Sequence, residues 1–108
     1  MKPAGRRRHY VTLERPTETK DRLGGYSPAW SAVSKTWVSI EPLSGAELVE
    51  AQAQEQHTTH RVEMRFEEGI TSRMRIHTED DRILNIASVI NPMERRESLT
   101  LLCEEVSE

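Results

Sequence analysis

One cysteine, five aromatic residues and five glycines in 108 residues set the first limits on this chain. A lone Cys103 makes no internal disulfide, which excludes the stapled scaffolds of small secreted domains. Residues 1–8 are basic but no apolar stretch follows them, so neither a signal peptide nor a secreted location is expected, and a reducing cytoplasm is. No run of 18 apolar residues occurs, so no membrane-spanning helix is expected. With only Tyr10, Tyr26, Trp30, Trp37 and Phe66 as aromatics, the core must be mostly aliphatic. The length suits a single domain over residues 1–108, since independent domains usually need roughly 100 to 150 residues.

What the sequence has in excess is charge. Charged residues make up 31% of it, and its mean hydropathy is -0.69, which predicts a thin core and wet loops. The formal net charge of -3 hides an uneven split. Residues 1–22 hold seven basic side chains, among them Arg6, Arg7 and Arg8, against three acidic ones, a local +4 that leaves -7 for the rest. A positive end on an acidic body suits head-to-tail contact with charged partners and is a poor footprint for a dedicated nucleic-acid binder.

A repeat of two dominates the pattern. In residues 61–67, Val62, Met64 and Phe66 share one face and charged residues the other, the mark of a strand with one buried side. Weaker versions recur at residues 9–13 (Val11 and Leu13 inward), 36–40 (Val38 and Ile40), 74–77 (Met74 and Ile76) and 99–103 (Leu99, Leu101 and Cys103). Residues 83–90 are apolar on both faces, which predicts a central strand. Turn signals at Gly24-Gly25, Pro42 with Gly45, Glu68-Gly69, Asp80-Asp81 and Asn91-Pro92 separate the runs. Six short strands with connections too short for parallel crossovers predict a mainly β fold, a small antiparallel barrel or sandwich.

Residues 44–55 break the rhythm. They are rich in helix formers, and Ser44 with Glu47 fits a capping box, with Leu43 and Leu48 placed for a hydrophobic staple. The predicted helix has a small-sided apolar face of Leu48, Val49, Ala51 and Ala53; a loop over residues 50–59 that orders on binding is the alternative.

Chemistry is sparse. His57 and His60, three apart, point to opposite faces of a strand and lack the second pair of ligands that a zinc finger supplies. Glu79-Asp80-Asp81 lacks the spaced oxygens of a calcium loop and reads as a solvated hairpin turn. Glu67-Glu68 and Glu104-Glu105 are neighbours in sequence only. Cys103 alternates with Leu99 and Leu101 and reads as a small core hydrophobe beside acidic residues, the reverse of a reactive-thiol environment. Gly24-Gly25 lacks the spacing of a phosphate loop. No catalytic residue, metal or cofactor is expected. Arg6, Arg7 and Arg8 are the best candidates for phosphate contact, but Tyr10 alone among the aromatics lies near them.

Taken together, several segments resemble the bacteriophage head-tail joining proteins, also called head closure, head completion or stopper proteins. They are residues 5–13, the turn at residues 21–26 leading to Trp30, residues 36–47, 62–66, 73–76 and 82–86, and the closing residues 99–104. The most specific part is the Trp37, Ile40, Pro42, Gly45, Glu47 spacing followed by Met64-Arg65-Phe66. The resemblance implies a small β-barrel of about six strands with an insertion, residues 43–60 here, between its second and third main strands.

It also implies a structural virion protein without catalysis. Its subunits would form a ring, dodecameric on the connector, at the portal vertex, closing the DNA-filled head and presenting a surface to a tail terminator or other tail protein. Its partners would be the portal or an adaptor ring, other copies of itself, and packaged DNA without sequence-specific binding; assembly would occur in the host cytoplasm, with no membrane involved. On this reading Arg6, Arg7, Arg8 and Trp37 contact the portal, adaptor or neighbouring subunit, and Glu47, Leu48, Val49, Glu50, Gln52 and Glu55 belong to an insertion at the channel or between subunits. Trp30 and Trp37 read as barrel packing, although Trp37 is out of phase with Val38 and Ile40 and fits an outer-face anchor as well. A tail-end completion ring and a small barrel that binds single-stranded nucleic acid are the competing readings, with a small enzyme behind them.

Overall fold

The computed structural model describes residues 8–20, 22–54 and 57–106. The strands are β1 (His9–Lys20), β2 (Tyr26–Pro42), β3 (His60–Arg65), β4 (Arg75–Thr78), β5 (Ile83–Ile90) and β6 (Ser98–Val106), with one helix, α1 (Gly45–Ala53), between β2 and β3. The strands close into an antiparallel barrel in the order β1-β2-β3-β6-β5-β4, with β4 pairing back onto β1. Closure leaves the barrel without an open sheet edge. Its interior is aliphatic: Leu13, Val38, Val62, Met64, Ile76, Leu84, Leu101 and Cys103 are fully buried, as their alternation predicts.

Strand β5 has the predicted bounds but not the predicted reason for its two apolar faces. Leu84 and Ile86 point inward, the register against β6 then shifts between Ile86 and Ser88, and Val89 packs on the core while Ile90 is exposed. The extra residue, Ala87, is a bulge that moves the inward phase by one position. In a closed barrel no strand is more central than another.

The larger departure is the length of β1 and β2, expected to be short. Strand β1 pairs with β4 only over residues 11–14, and β2 pairs with β3 only from Val38 onward. Between those limits the two strands pair with each other alone, from Arg15↔Ser31 to Lys20↔Tyr26. They form a two-stranded arm that leaves the barrel and turns at Gly24, whose φ of +83° suits glycine. A register shift beside Leu13, with Val33 as the extra residue, marks where the arm departs and adds twist there. The cause lies in the side chains: past Leu13 the inward phase of β1 continues with Arg15 and Thr17, which offer nothing to a core. Pro16 pairs with Trp30, and Glu18 with Pro28. A proline cannot donate to the ladder, so both pairs are of the kind whose N–H groups would face away from the partner strand.

Helix α1 starts as predicted. Glu47 N–H donates to Ser44 Oγ at 3.3 Å and Ser44 N–H to Glu47 Oε1 at 3.2 Å, completing the capping box. Only Ala51 of its expected apolar face is buried, whereas Val49 is 67% exposed. The insertion is clamped at its base, where Leu43 N–H donates to the Thr59 carbonyl at 3.0 Å and Thr59 N–H to that of Cys103 at 2.8 Å. No helix among the described residues is long and apolar enough to cross a membrane.

Candidate docking surfaces

Four outer features of the barrel can meet another molecule, and each follows from which side of a strand its residues occupy. The first is the entrance to β1. Arg8 is exposed and borders two open clefts, one shared with His9, Ser39, Ile40 and Glu41, the other with His9, Tyr10, Thr78, Glu79 and Asp80. The Thr78 hydroxyl donates to the Asp80 carboxylate and holds that acid below its usual range, so an anion stays beside Arg8. Arg6 and Arg7 lie outside the described residues.

The second is an aromatic pair. Tyr10 and Trp37 are direct cross-strand partners, with ring centroids 5.1 Å apart and planes tilted by 46°. Trp37 is 54% exposed, so it lies on the outer face and the barrel-packing reading fails for it. The same reading fails for Trp30, which stands at the root of the arm. Its ring takes the Arg75 guanidinium at 4.1 Å from the centroid, and Arg75 Nε also donates to Glu14 Oε1 at 2.7 Å.

The arm is the third feature. Leu23 at its turn is 96% exposed, with exposed Lys20 and Arg22 close by. Val33 near its base is 44% exposed, and Ser34 Oγ donates to Glu67 Oε2 at 2.7 Å, a second tie to the barrel. The fourth is an open cleft of about 210 Å³ between α1 and the barrel wall, lined by Leu43, Glu47, Glu50, Ala51, Gln54, Thr58 and Leu102. Thr58 is only 3% exposed, and among the described residues its Oγ1 finds no hydrogen-bond partner.

Among the residues expected at the insertion, Glu47 is held in place. It pairs with Arg61 as well as capping α1, so its carboxylate is part of how the helix is held. Leu48 is half-buried, and Val49, Glu50 and Gln52 are exposed; Glu55 lies outside the described residues. Sequence reasoning missed Leu23, Arg75 and Thr58. The Gly24-Gly25 turn together with Thr- and Trp-bearing strands on both sides was the available signal for the arm.

Burial pushes the Cys103 thiol up to about 12, and no group of three or more potential metal ligands occurs among the described residues. The densest polar cluster is structural: Arg82 donates to both oxygens of Glu105, and Glu105 lies 3.6 Å from His60. That carboxylate alone would hold a proton on His60, yet burial of the ring outweighs it and Arg82 adds repulsion, so the imidazole sits below its usual range. Thr59 Oγ1 accepts from Glu105 N–H at 3.0 Å and lies 2.9 Å from His60 Nδ1, to which it donates when that nitrogen carries no proton.

The sequence profile of the family described as phage head completion protein matches residues 2–106, which take in the barrel, its arm and the side helix. The chain belongs to that family. A head completion protein is a structural component of a phage-type virion. The solution structure of protein SF1141 from Shigella flexneri 2a superposes with a TM-score of 0.77 at 26% identity, over 97% of each chain. A chain of the virion of a native gene transfer agent particle superposes with a TM-score of 0.57 at 18% identity, over 94% of this chain and 98% of that one, a likeness of fold. No curated protein matches the sequence.

Proposed function

We propose that this head completion protein forms a ring at the portal vertex, closes the DNA-filled head and provides the surface to which the tail attaches. The observation that carries the reading is the combination of family membership with two projections of opposite character on one small barrel: a basic arm and an acidic helical insertion. Patches that differ in this way meet head to tail rather than face to face, and such contacts close into rings when the rotation fits. Arg8, with Arg6 and Arg7 ahead of it, and Trp37 form the contact to the portal, an adaptor or a neighbouring copy. The insertion, with Leu48, Val49, Glu50, Gln52 and Glu55, lies at the channel or between subunits. Acidic groups there keep packaged DNA from adhering, with no sequence read. Assembly takes place in the host cytoplasm.

Native mass spectrometry of the protein mixed with the portal, or portal and adaptor, ring from the same genome tests this. Addition of a full ring of subunits is the expected result; no association, together with salt-dependent binding of oligonucleotides, would replace the reading with a nucleic-acid module. The channel assignment has its own test. Glu50→Lys with Glu55→Lys, which spares the cap made by Glu47, should slow DNA ejection, and unaltered ejection removes those residues from the lumen.

A further inference from the structure

We propose that the tip of the β1–β2 arm of one copy of this chain docks in the cleft between α1 and the barrel of a second copy. This rests on the ring reading above and names the two surfaces that meet. Tip and cleft lie at opposite ends of the longest strand. The arm turns just before Tyr26, the first residue of β2, and Pro42, its last, leads into α1. Seventeen residues at about 3.3 Å each span roughly 50 Å, comparable with the 48 Å length of the molecule. A chain therefore cannot seat its own tip in its own cleft, and a second copy can.

The two surfaces are matched in chemistry. The tip offers Leu23, a 96% exposed apolar side chain, and the cleft offers apolar walls in Leu43, Ala51 and Leu102. Lys20 and Arg22 flank Leu23, with Asp21 between them in sequence, and Glu50 stands at the cleft rim beside Glu47. Because tip and cleft are different surfaces, each copy gives with one end and receives with the other, the heterologous arrangement of a ring. A second cleft, near the arm root and lined by Arg15, Pro16, Val33 and Arg73, carries the same sign of charge as the tip and does not suit it.

The test is cross-linking in the assembled protein. A variant with both Leu23→Cys and Gln54→Cys is treated with a short bismaleimide, alone and on the portal ring, while native mass spectrometry follows ring formation. Cys103 is buried and its thiol protonated, so it does not compete. The expected result is a ladder of cross-linked oligomers, since every copy carries a donor and a receiver, with neither single variant giving it. Glu50→Lys should reduce the ladder several-fold and Arg22→Glu added to it should restore it.

A ring on the portal without the ladder, dimers from Leu23→Cys alone, or a cross-link from position 23 to the portal chain would each overturn the docking while leaving the ring reading intact. A ladder in the isolated protein with no addition to the portal would uphold the docking and overturn the portal reading. Neither ring nor ladder would overturn both. Leu23 and Gln54 are exposed, so the variants fold, and a thermal melt matching the parent checks it.

Discussion

Arg75 holds Trp30 and Glu14 at once: its guanidinium carbon is 4.1 Å from the centroid of the indole ring while its Nε donates to the carboxylate at 2.7 Å. The three residues come from β4, β2 and β1, so this contact fixes the angle at which the arm leaves the barrel. Two-stranded ribbons alone are marginal in water, and the arm depends on such ties at its root.

Arg75→Ala should therefore destabilise the protein by about 1–3 kcal/mol, because it leaves the half-buried Glu14 carboxylate without its donor. The arm should respond more than the barrel. Hydrogen exchange of amides in residues 15–31 is expected to quicken while that of β3 and β6 stays near the parent's. Arg75→Lys should recover little, since an ammonium lacks the planar fork that stacks and donates together. Unchanged exchange in the arm would show that Arg75 does not hold it.

Trp37→Ala should leave the barrel folded, at a cost of about 1 kcal/mol, since the ring is more than half exposed and loses chiefly its contact with Tyr10. Its effect should appear in docking: addition to the portal ring, read by native mass spectrometry, should weaken. Collapse of the free subunit would place Trp37 in the fold rather than at a contact.

Ser44→Ala removes the hydroxyl that caps α1 and should cost that helix about 1 kcal/mol. Nine residues of helix make a local unit, so the loss is expected as faster exchange within Gly45–Ala53, with the melting temperature of the barrel nearly unchanged. Equal loss in both would mean that insertion and barrel unfold together.

Stability should fall on acidification in two separable steps. His60 in the folded chain sits below its ordinary 6.5, so the unfolded chain takes up a proton that the folded chain resists; stability is full above 6.5 and is lost as the pH falls from there toward the lower folded value. Glu105 is held below its ordinary 4.5, first by the hydrogen bond from Arg82, so its contribution is present above 4.5 and lost as the pH falls toward its folded value. Urea midpoints from pH 8 to pH 3 measure this. His60→Gln should flatten the upper step and Glu105→Gln should shrink the lower one; an upper step that survives in His60→Gln would assign it to another group.

The barrel was legible in the sequence because its signal is burial. Val62 and Met64, Leu99 to Cys103, and Met74 with Ile76 alternate cleanly, and Ser44 with Glu47 announced the helix start. The arm was not, for the same reason. Beyond Leu13 and ahead of Thr36 no described side chain of the two strands is buried, so their alternation carries no hydropathy contrast to read. Trp30 illustrates the difficulty at one residue: a large apolar ring suggests a core position, and only the tertiary partner Arg75, 45 positions away, accounts for it outside. Thr58 is the converse, a polar residue whose burial depends on where α1 packs. The double-faced pattern of β5 was seen correctly, but a one-residue bulge at Ala87 and burial on both sides leave the same trace in sequence.

Pro16 and Pro28 sit on opposite strands of the arm, each where its absent N–H would have faced outward. Each long edge of the ribbon thus has a missing rung, which makes it a poor template for adding another strand. Recognition of the arm then falls to its side chains instead of its backbone. Exchanging both prolines for β-branched residues is expected to open those edges to pairing with another strand, without disturbing the barrel that carries the arm.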